Sequence, residues 1–397
     1  MRSVEEALAG ILAVGRATEV ESLRLDACFG RAPASFDLTA ALDVPPFDNS
    51  SMDGYALRAA DTPGRLRLVG EVAAGAGTLP DVVPGAAARI MTGAPMPPGA
   101  DAVVPMEVAE EGKADVIVPA TPPGAFVRRR GHDTRAGDAV TLPNEPLSAA
   151  TLGLLASLGV GELGVRRRPR VAILSTGDEL QPPGARLAPG QIHDANGIAL
   201  AAAVTEAGGE PVVLERVPDE PVQIEQQVMH GAAEADLLIA SGGVSVGRHD
   251  HVRDLIERLG SLDFWRIRMQ PGKPLAFGVV ADVPVIGLPG NPVSALVTFE
   301  LFARPLIRRM LGLSGSGRMT LPAVAHERMP KDEERRAYLR VQLARGADGL
   351  EARLAGGQAS SQLRPMATAN ALLIVPEGEP AAEAGRTYDA LLLGAIA

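Results

Sequence analysis

Three polar, glycine-rich segments in the middle of the chain have the residue types that hold phosphates and other oxyanions. They are Ser175-Thr176-Gly177-Asp178-Glu179, Ser241-Gly242-Gly243-Val244-Ser245-Val246-Gly247 and Pro289-Gly290-Asn291-Pro292. A glycine turn lets backbone N–H groups reach an oxyanion without interference from a Cβ. A helix N-terminus adds a dipole that favours phosphate. The segment 241–247 leads into a helical pattern and Asn291 starts another, so both are candidate oxyanion seats. Each loop taken alone is equally a plain structural turn, and the chain has no GxxxxGK[ST] motif that would mark a P-loop nucleotidase.

Carboxylates stand on or beside these loops: Asp178, Glu179, Asp219 and Asp250. Next to a phosphate seat they suit Mg²⁺, which prefers carboxylate, water and phosphate oxygens; helix capping is the competing role for Asp178 and Asp250. Gln270-Pro271-Gly272-Lys273-Pro274 sets one lysine on a rigid turn between apolar runs. His249-Asp250-His251 has ligand residue types, but adjacent positions do not face one way, and no zinc site is expected.

To act together, the loops must stand at one edge of one sheet. Short apolar runs at 171–174, 211–217, 236–240, 264–269, 275–280 and 283–288 read as strands. Helical patterns fall at 196–207, 221–235 and 251–259, with another running from Pro292 to about 310, capped by Asn291. Strands alternating with helices predict a parallel, doubly wound sheet, whose ligands bind beyond the carboxyl ends of the strands. This α/β domain is placed at 169–313. Before it, 1–168 reads as a composite region. Val4, Leu8, Ile11 and Leu12 mark a helix, short strands such as 65–72 and 102–108 follow, and 147–158 is helical. Within that region, about 51–130 reads as an inserted β-rich subdomain. The basic run Arg166-Arg167-Arg168-Pro169 marks the boundary and is expected to be a solvated linker. After Gly312-Leu313-Ser314-Gly315-Ser316-Gly317, strands at 338–343, 350–354 and 371–375 predict a small β domain at 314–397. The fold class is therefore α/β plus β, multidomain.

Composition narrows the partners. With 46% hydrophobic and 22% charged residues the chain is globular. Only 3% aromatic residues and a net charge of −10 argue against nucleic acid, so any anionic substrate must be held by local cations. The single Cys28 cannot form an internal disulfide, no apolar run is long enough to span a membrane, and the first ten residues lack a signal pattern. A cytoplasmic location is expected, with no membrane and no nucleic-acid partner.

Taken together and in order, these segments resemble the MoeA and gephyrin E-domain family. The resemblance begins with Pro45-Pro46-Phe47-Asp48-Asn49-Ser50-Ser51-Met52-Asp53-Gly54-Tyr55-Ala56 and Arg89-Ile90-Met91-Thr92-Gly93-Ala94. It runs through the three loops and the 270–274 turn, then Gly287-Leu288-Pro289-Gly290-Asn291-Pro292-Val293-Ser294. It ends with Ser360-Ser361-Gln362-Leu363 and Ala369-Asn370-Ala371-Leu372.

The resemblance implies an elongated homodimer with a molybdopterin-binding α/β domain and a C-terminal β-barrel. It implies molybdate-dependent, Mg²⁺-requiring cleavage of adenylated molybdopterin with release of AMP, which is a transferase step in molybdenum cofactor biosynthesis. The upstream molybdopterin adenylyltransferase is the implied protein partner. The residues matching the family's functional positions are Asp53, Thr92, Asp133, Glu179, Asp219, Asp250, Pro289 and Pro292, with Asp219 and Asp250 as metal carboxylates and Lys273 as a nearby cation. The loop positions Ser175, Thr176, Gly177, Ser241, Gly242, Gly243, Ser245, Gly247, Gly290, Asn291 and Ser294 then bind the substrates. Lysines of some members fall on Arg266 and Gln270, and an acidic residue and a tyrosine on Arg248 and His251. Arg340, Ser360 and Ser361 resemble residues that reach molybdate, and the site is expected to form between 169–313 of one protomer and 314–397 of its partner. The rival readings are the adenylyltransferase itself, which matches only the α/β region, a receptor-binding scaffold, and a sugar or nucleotide hydrolase on the same sheet.

Overall fold

The structure is a computed structural model and describes residues 1–242, 251–314, 317–346 and 349–396. Its central layer is a six-stranded sheet in the order Glu210–Val213, Arg170–Ser175, Leu237–Ser241, Val283–Leu288, Ala276–Val280, Gly260–Trp265. The first four strands are parallel. Alternate residues face opposite sides. Ile173, Ile239 and Ile286 join Leu200 and Ala203 of the helix Ala195–Ala207. Ala172, Leu238 and Val285 join Val228 of Pro221–Glu234 and Ile256 of His251–Leu259. Both faces are covered, as a parallel sheet requires.

The expected all-parallel sheet is in fact mixed. Ala276–Val280 runs antiparallel to both neighbours. Only Ala281 and Asp282 separate it from Val283–Leu288, and both have positive φ, 49° and 64°. Two left-handed residues close a tight hairpin, and two residues cannot make the long crossover that parallel neighbours need. The helix after Asn291 is also interrupted. It runs as Pro292–Thr298, a wide π turn at Phe299–Ala303, and Arg304–Met310. Pro305 has no N–H and its ring crowds the carbonyl four residues back; the widened turn accommodates it.

The N-terminal helix Val4–Ala13, opened by a capping box of Ser3 and Glu6, packs on the α/β domain. Val4, Ala7 and Ile11 share a core with Phe302 and Ile307. The chain then climbs a ladder of antiparallel pairs: Val20–Arg24 with Glu162–Arg166, Asp37–Thr39 with Ala139–Thr141, Asn49–Ser50 with Val127–Arg128. Outgoing and returning segments therefore run side by side to a second six-stranded sheet. Its order is Ala102–Pro105, Gly54–Leu57, Ala86–Ile90, Gly64–Val72, Asp115–Val118, Glu110–Glu111. The basic boundary is not a solvated linker. Arg167 donates to both oxygens of Asp236 at 2.8 Å and to Glu19 at 2.8 Å, and Arg166 donates to the Thr18 carbonyl at 2.8 Å. A half-buried guanidinium keeps its charge where carboxylates face it, so the run clamps the crossing point.

At the C-terminal end, Arg336–Gly346, Gly349–Leu354, Thr320–Ala325, Thr387–Leu392 and Ala371–Val375 pair in that order, and the last closes on the first. This five-strand barrel contains two strands, Thr320–Ala325 and Thr387–Leu392, that have no counterpart among the expected ones. Met269–Gln270 of the α/β domain adds a parallel strand to Arg336–Gly346, which joins the barrel to the α/β domain of its own chain.

Candidate active site

Ser175, Ser241 and Leu288 are aligned partners at the carboxyl ends of three adjacent strands. The three polar loops therefore emerge side by side. Thr176 bridges Val217, which brings Asp219 in from the neighbouring strand. Between the loops lies a cleft of about 580 Å³, lined by Ser175, Thr176, Glu179, Asp194, Asn196, Asp219, Ser241 and Gly242 on one side. Pro274, Pro289, Gly290, Asn291, Pro292 and Ser361 line the other. Gly242 has φ of 100°, and a Cβ there would stand 2.6 Å from the Thr176 carbonyl oxygen, so this approach requires glycine. Gly177 is on the first loop but does not line the cleft. Gly243, Ser245, Gly247 and Asp250, together with Arg248, lie outside the described residues.

Asn196, on the first turn of Ala195–Ala207, was not among the residues picked out in the sequence. Its Nδ2 donates to Ser241 Oγ at 2.7 Å and to the Gly290 carbonyl at 2.8 Å, tying a helix start to two strand-end loops. Just before it, buried Asp194 accepts from the Gly197 N–H at 2.9 Å and caps the helix. The only local sign was Asp-Ala-Asn at a helix start, which looks the same as any N-cap.

Asp219 Oδ1 is buried and has no hydrogen-bond partner among the described residues, while the Asp219 N–H donates to Asp178 Oδ1 at 3.2 Å. Asp178 thus supports the loop, and Asp219 lines the cleft with an uncompensated carboxylate oxygen. Such an oxygen is costly unless a cation or donor meets it. Glu179 lines the same wall. No group of three or more His, Cys, Asp or Glu able to hold a metal occurs among the described residues. Mg²⁺ does not need one, because it keeps several waters and is held by one or two carboxylates plus substrate phosphates. The oxygen donors present fit it.

A second cavity of about 360 Å³ adjoins the cleft through Pro274, Pro289 and Asn291. Gln270, Lys273, Ser294, Arg335, Arg340, Gln358 and Ser360 are in its wall. Arg340 is wholly buried. Its Nη2 donates to the carbonyls of Gly357 and Ala359 at 3.0 and 3.2 Å, and among the described residues its Nε has no partner and no carboxylate pairs with it. Burial pushes its guanidinium down to about 10. An uncompensated buried cation beside a cavity calls for an anion. Ser360 Oγ accepts from Asn291 Nδ2 at 3.0 Å, and the Ser360 carbonyl accepts from the Val293 N–H at 3.2 Å. The barrel residues Arg340, Ser360 and Ser361 therefore face the α/β loops of their own chain, which corrects the expectation that a partner supplies them: the strand Met269–Gln270 pairs with the barrel and holds it in place. Gln270 Oε1 accepts from the Asp332 N–H at 3.3 Å. Arg266 lines neither cavity; its carbonyl accepts from the Arg2 N–H at 3.2 Å.

The remaining expected residues form a separate group. Asp53 Oδ1 accepts from the Thr92 N–H at 2.7 Å and from Thr92 Oγ1 at 2.9 Å, and these bonds hold its carboxyl below the usual aspartate value. Both residues are exposed on the inserted sheet. Asp133 is exposed on the ladder that leads to it. None of the three lines the cleft or the second cavity.

Strand-end loops, an α/β sheet covered on both faces and a closed barrel define a multidomain ligand-binding protein of a specific kind. Three family models match it in order: the MoeA N-terminal region (domain I and II) at 2–159, a probable molybdopterin binding domain at 172–309, and the MoeA C-terminal region (domain IV) at 322–393. Molybdopterin molybdenumtransferase 2 of Mycobacterium tuberculosis is 40% identical over 394 residues, covering 95% of this chain and 96% of that protein. The molybdopterin molybdenumtransferase of Nostoc sp. is 40% identical over 390 residues, 94% of this chain and 88% of that protein. The crystal structure of a molybdopterin biosynthesis moeA protein from Pyrococcus horikosii superposes with a TM-score of 0.83 at 32% identity, covering 99% of both chains. The chain belongs to the MoeA family.

Proposed function

We propose that this chain is a molybdopterin molybdenumtransferase, which inserts molybdate into adenylated molybdopterin and releases AMP. The observation that supports this best is the joined pair of cavities. One has backbone loops and the unpaired Asp219 oxygen, suited to a pyrophosphate with its cation. The other has the buried Arg340, whose Nε has no partner among the described residues, suited to an oxyanion. Breaking a pyrophosphate depends on positioning and charge neutralisation more than on covalent catalysis. Ser175, Thr176, Ser241, Gly242, Gly290, Asn291 and Pro292 would seat the pterin phosphates against Pro289. Glu179 and Asp219, with Asp250, would hold Mg²⁺. Bound there, the ion supplies neutralisation of the pyrophosphate charge. Lys273, Arg340, Ser294, Ser360 and Ser361 would hold molybdate beside the pterin sulfurs. Molybdate would enter by ligand exchange, which needs no redox cysteine; Cys28 is buried.

We assign the working form to a homodimer. Asp53, Thr92 and Asp133 stand apart from the cleft of their own chain, and a two-fold dimer repeats every surface twice, so each inserted sheet would complete the partner's cleft. A cytoplasmic location and receipt of substrate from the upstream molybdopterin adenylyltransferase belong to the same reading. No helix among the described residues is long and apolar enough to cross a membrane.

Purified protein given adenylated molybdopterin should release AMP only when molybdate and Mg²⁺ are added, and Asp219→Ala should abolish this. AMP release independent of molybdate would refute the assignment. Mixing inactive Asp219→Ala with inactive Asp53→Ala under subunit exchange should restore about a quarter of the activity, because half the dimers are mixed and one of their two sites is intact. Mixing Asp219→Ala with Arg340→Ala should restore none, since both residues serve one cleft of one chain. Recovery with the second pair instead of the first would reverse the assignment of which domains the partner supplies.

A further inference from the structure

Among the described residues, the wall of the second cavity contains three cations, Lys273, Arg335 and Arg340, and no carboxylate. In a chain of net charge −10 that is a strong local reversal. Arg335 was not singled out in the sequence, where it sits in the mixed-charge run Lys331-Asp332-Glu333-Glu334-Arg335-Arg336. Its Nε donates to Asp332 Oδ2 at 3.0 Å and its Nη2 donates to the same oxygen. Nη1 makes no hydrogen bond to a described residue.

Asp332 is fixed in turn. Its Oδ1 accepts from the Glu334 N–H at 3.0 Å, and its own N–H donates to Gln270 Oε1 at 3.3 Å. Lys331 Nζ donates to the carbonyls of Asp332 and Arg335 at 3.1 and 2.6 Å, closing the turn. Gln270 thus spends its side-chain oxygen on the turn that carries Asp332, and contributes no charge to the cavity. The guanidinium is held along one edge and keeps donors on the other. A planar fork fixed in this way suits a tetrahedral oxyanion better than a freely rotating ammonium does.

We propose that Arg335 is a binding contact for the oxyanion in the second cavity. Asp332 and Gln270 set its angle, and it supplies, beside Lys273 and Arg340, a third cationic donor group for the oxyanion. This rests on the reading of that cavity as the molybdate seat.

The test is equilibrium binding of molybdate alone, by isothermal titration, to the wild-type protein and to Arg335→Gln, Arg335→Lys and Lys273→Gln. Arg335→Gln should raise the molybdate Kd about tenfold, the scale of one charge-assisted hydrogen bond. Arg335→Lys keeps the charge and the pairing with Asp332 but loses the fork, and should raise it by a smaller factor. Unchanged affinity in Arg335→Gln with weakened affinity in Lys273→Gln overturns the role of Arg335 and leaves the cavity assignment standing. Unchanged affinity in both overturns the cavity assignment itself. Should Arg335→Gln not fold, Arg335→Lys decides: affinity equal to wild type overturns the proposal.

Discussion

The barrel and the inserted sheet are attached to the α/β domain in opposite ways. At the barrel junction Glu300 is buried and accepts from Arg304 Nε at 2.6 Å and from Arg318 Nε at 2.7 Å, the first on its own helix and the second leading into the barrel. Glu206 pairs with the same two arginines at 3.4 and 2.8 Å. Tyr338, Leu372 and Leu391 of the barrel share one apolar core with Leu306 and Ile307 of the α/β domain. In the neck to the inserted sheet, beside the short backbone ladder, the ion pairs among the described residues are Arg130 with Asp43 and Arg129 with Asp48, in which the arginines are 66% and 62% exposed. Among the described residues, the apolar clusters of that sheet contain none of the α/β domain. Exposed pairs contribute little and are screened by salt, whereas a buried charge network tolerates no loss of a partner. The α/β and barrel walls of the cleft are therefore joined by buried contacts within one chain, while the inserted sheet that carries Asp53 and Thr92 is joined by a short backbone ladder and exposed ion pairs.

The contrast can be broken most directly at Glu300. Glu300→Ala leaves Arg304 and Arg318 buried without their shared carboxylate and should lower stability in urea unfolding by about 3–5 kcal/mol. A loss below about 1 kcal/mol would make the barrel junction no tighter than an ordinary surface contact. Acid should act on the same junction. Burial opposes the charge of Glu300, but hydrogen bonds from Arg318 and Arg304 outweigh it and hold the carboxyl below its ordinary 4.5. Its contribution is then complete above that value and disappears as pH falls through the lower folded-state value. Hydrogen exchange should show the barrel junction opening below pH 4.5, and unchanged protection there would remove Glu300 from the account. Next in size is Asn196→Ala, which cuts the tie between helix start, Ser241 and Gly290. It should reduce kcat/KM for AMP release about tenfold, equivalent to one lost hydrogen bond of ~1.4 kcal/mol, with a nearly unchanged melting temperature. An equal loss of stability and rate would make Asn196 a fold residue only. The smallest effect belongs to the neck. Arg129→Ala with Arg130→Ala should leave the urea midpoint nearly unchanged, and a large drop would show that the neck is a rigid joint after all.

Much of the α/β domain was legible because its signals are local. Val283–Leu288 and His251–Leu259 have the bounds that apolar runs and periodicity suggest, and the polar loops stand at strand ends, where the order of strands and helices places them. The hairpin at Ala281 and Asp282 was not legible, since neither residue is the usual glycine or asparagine of a left-handed turn. Two barrel strands were missed for another reason. Thr320–Ala325 contains Pro322, and both it and Thr387–Leu392 gain their place from long-range pairing, with each other and with Gly349–Leu354 and Ala371–Val375. Asn196 and Arg335 look in sequence like a cap and a surface charge.

By itself, then, the order of residues determined most strands and helices of the α/β domain, the loops that carry Glu179, Asp219 and Asn291, and the family resemblance, because periodicity, turn chemistry and motif spacing act over a few neighbouring positions. The tertiary structure alone decided that Ser360 meets Asn291, 69 residues away in the same chain, that Arg340 is buried with no counter-charge among the described residues, and that Asp53 and Thr92 stand apart from the cleft. Those outcomes depend on how whole domains pack and which charges lose their water in doing so, and neither is encoded in any short stretch of the chain.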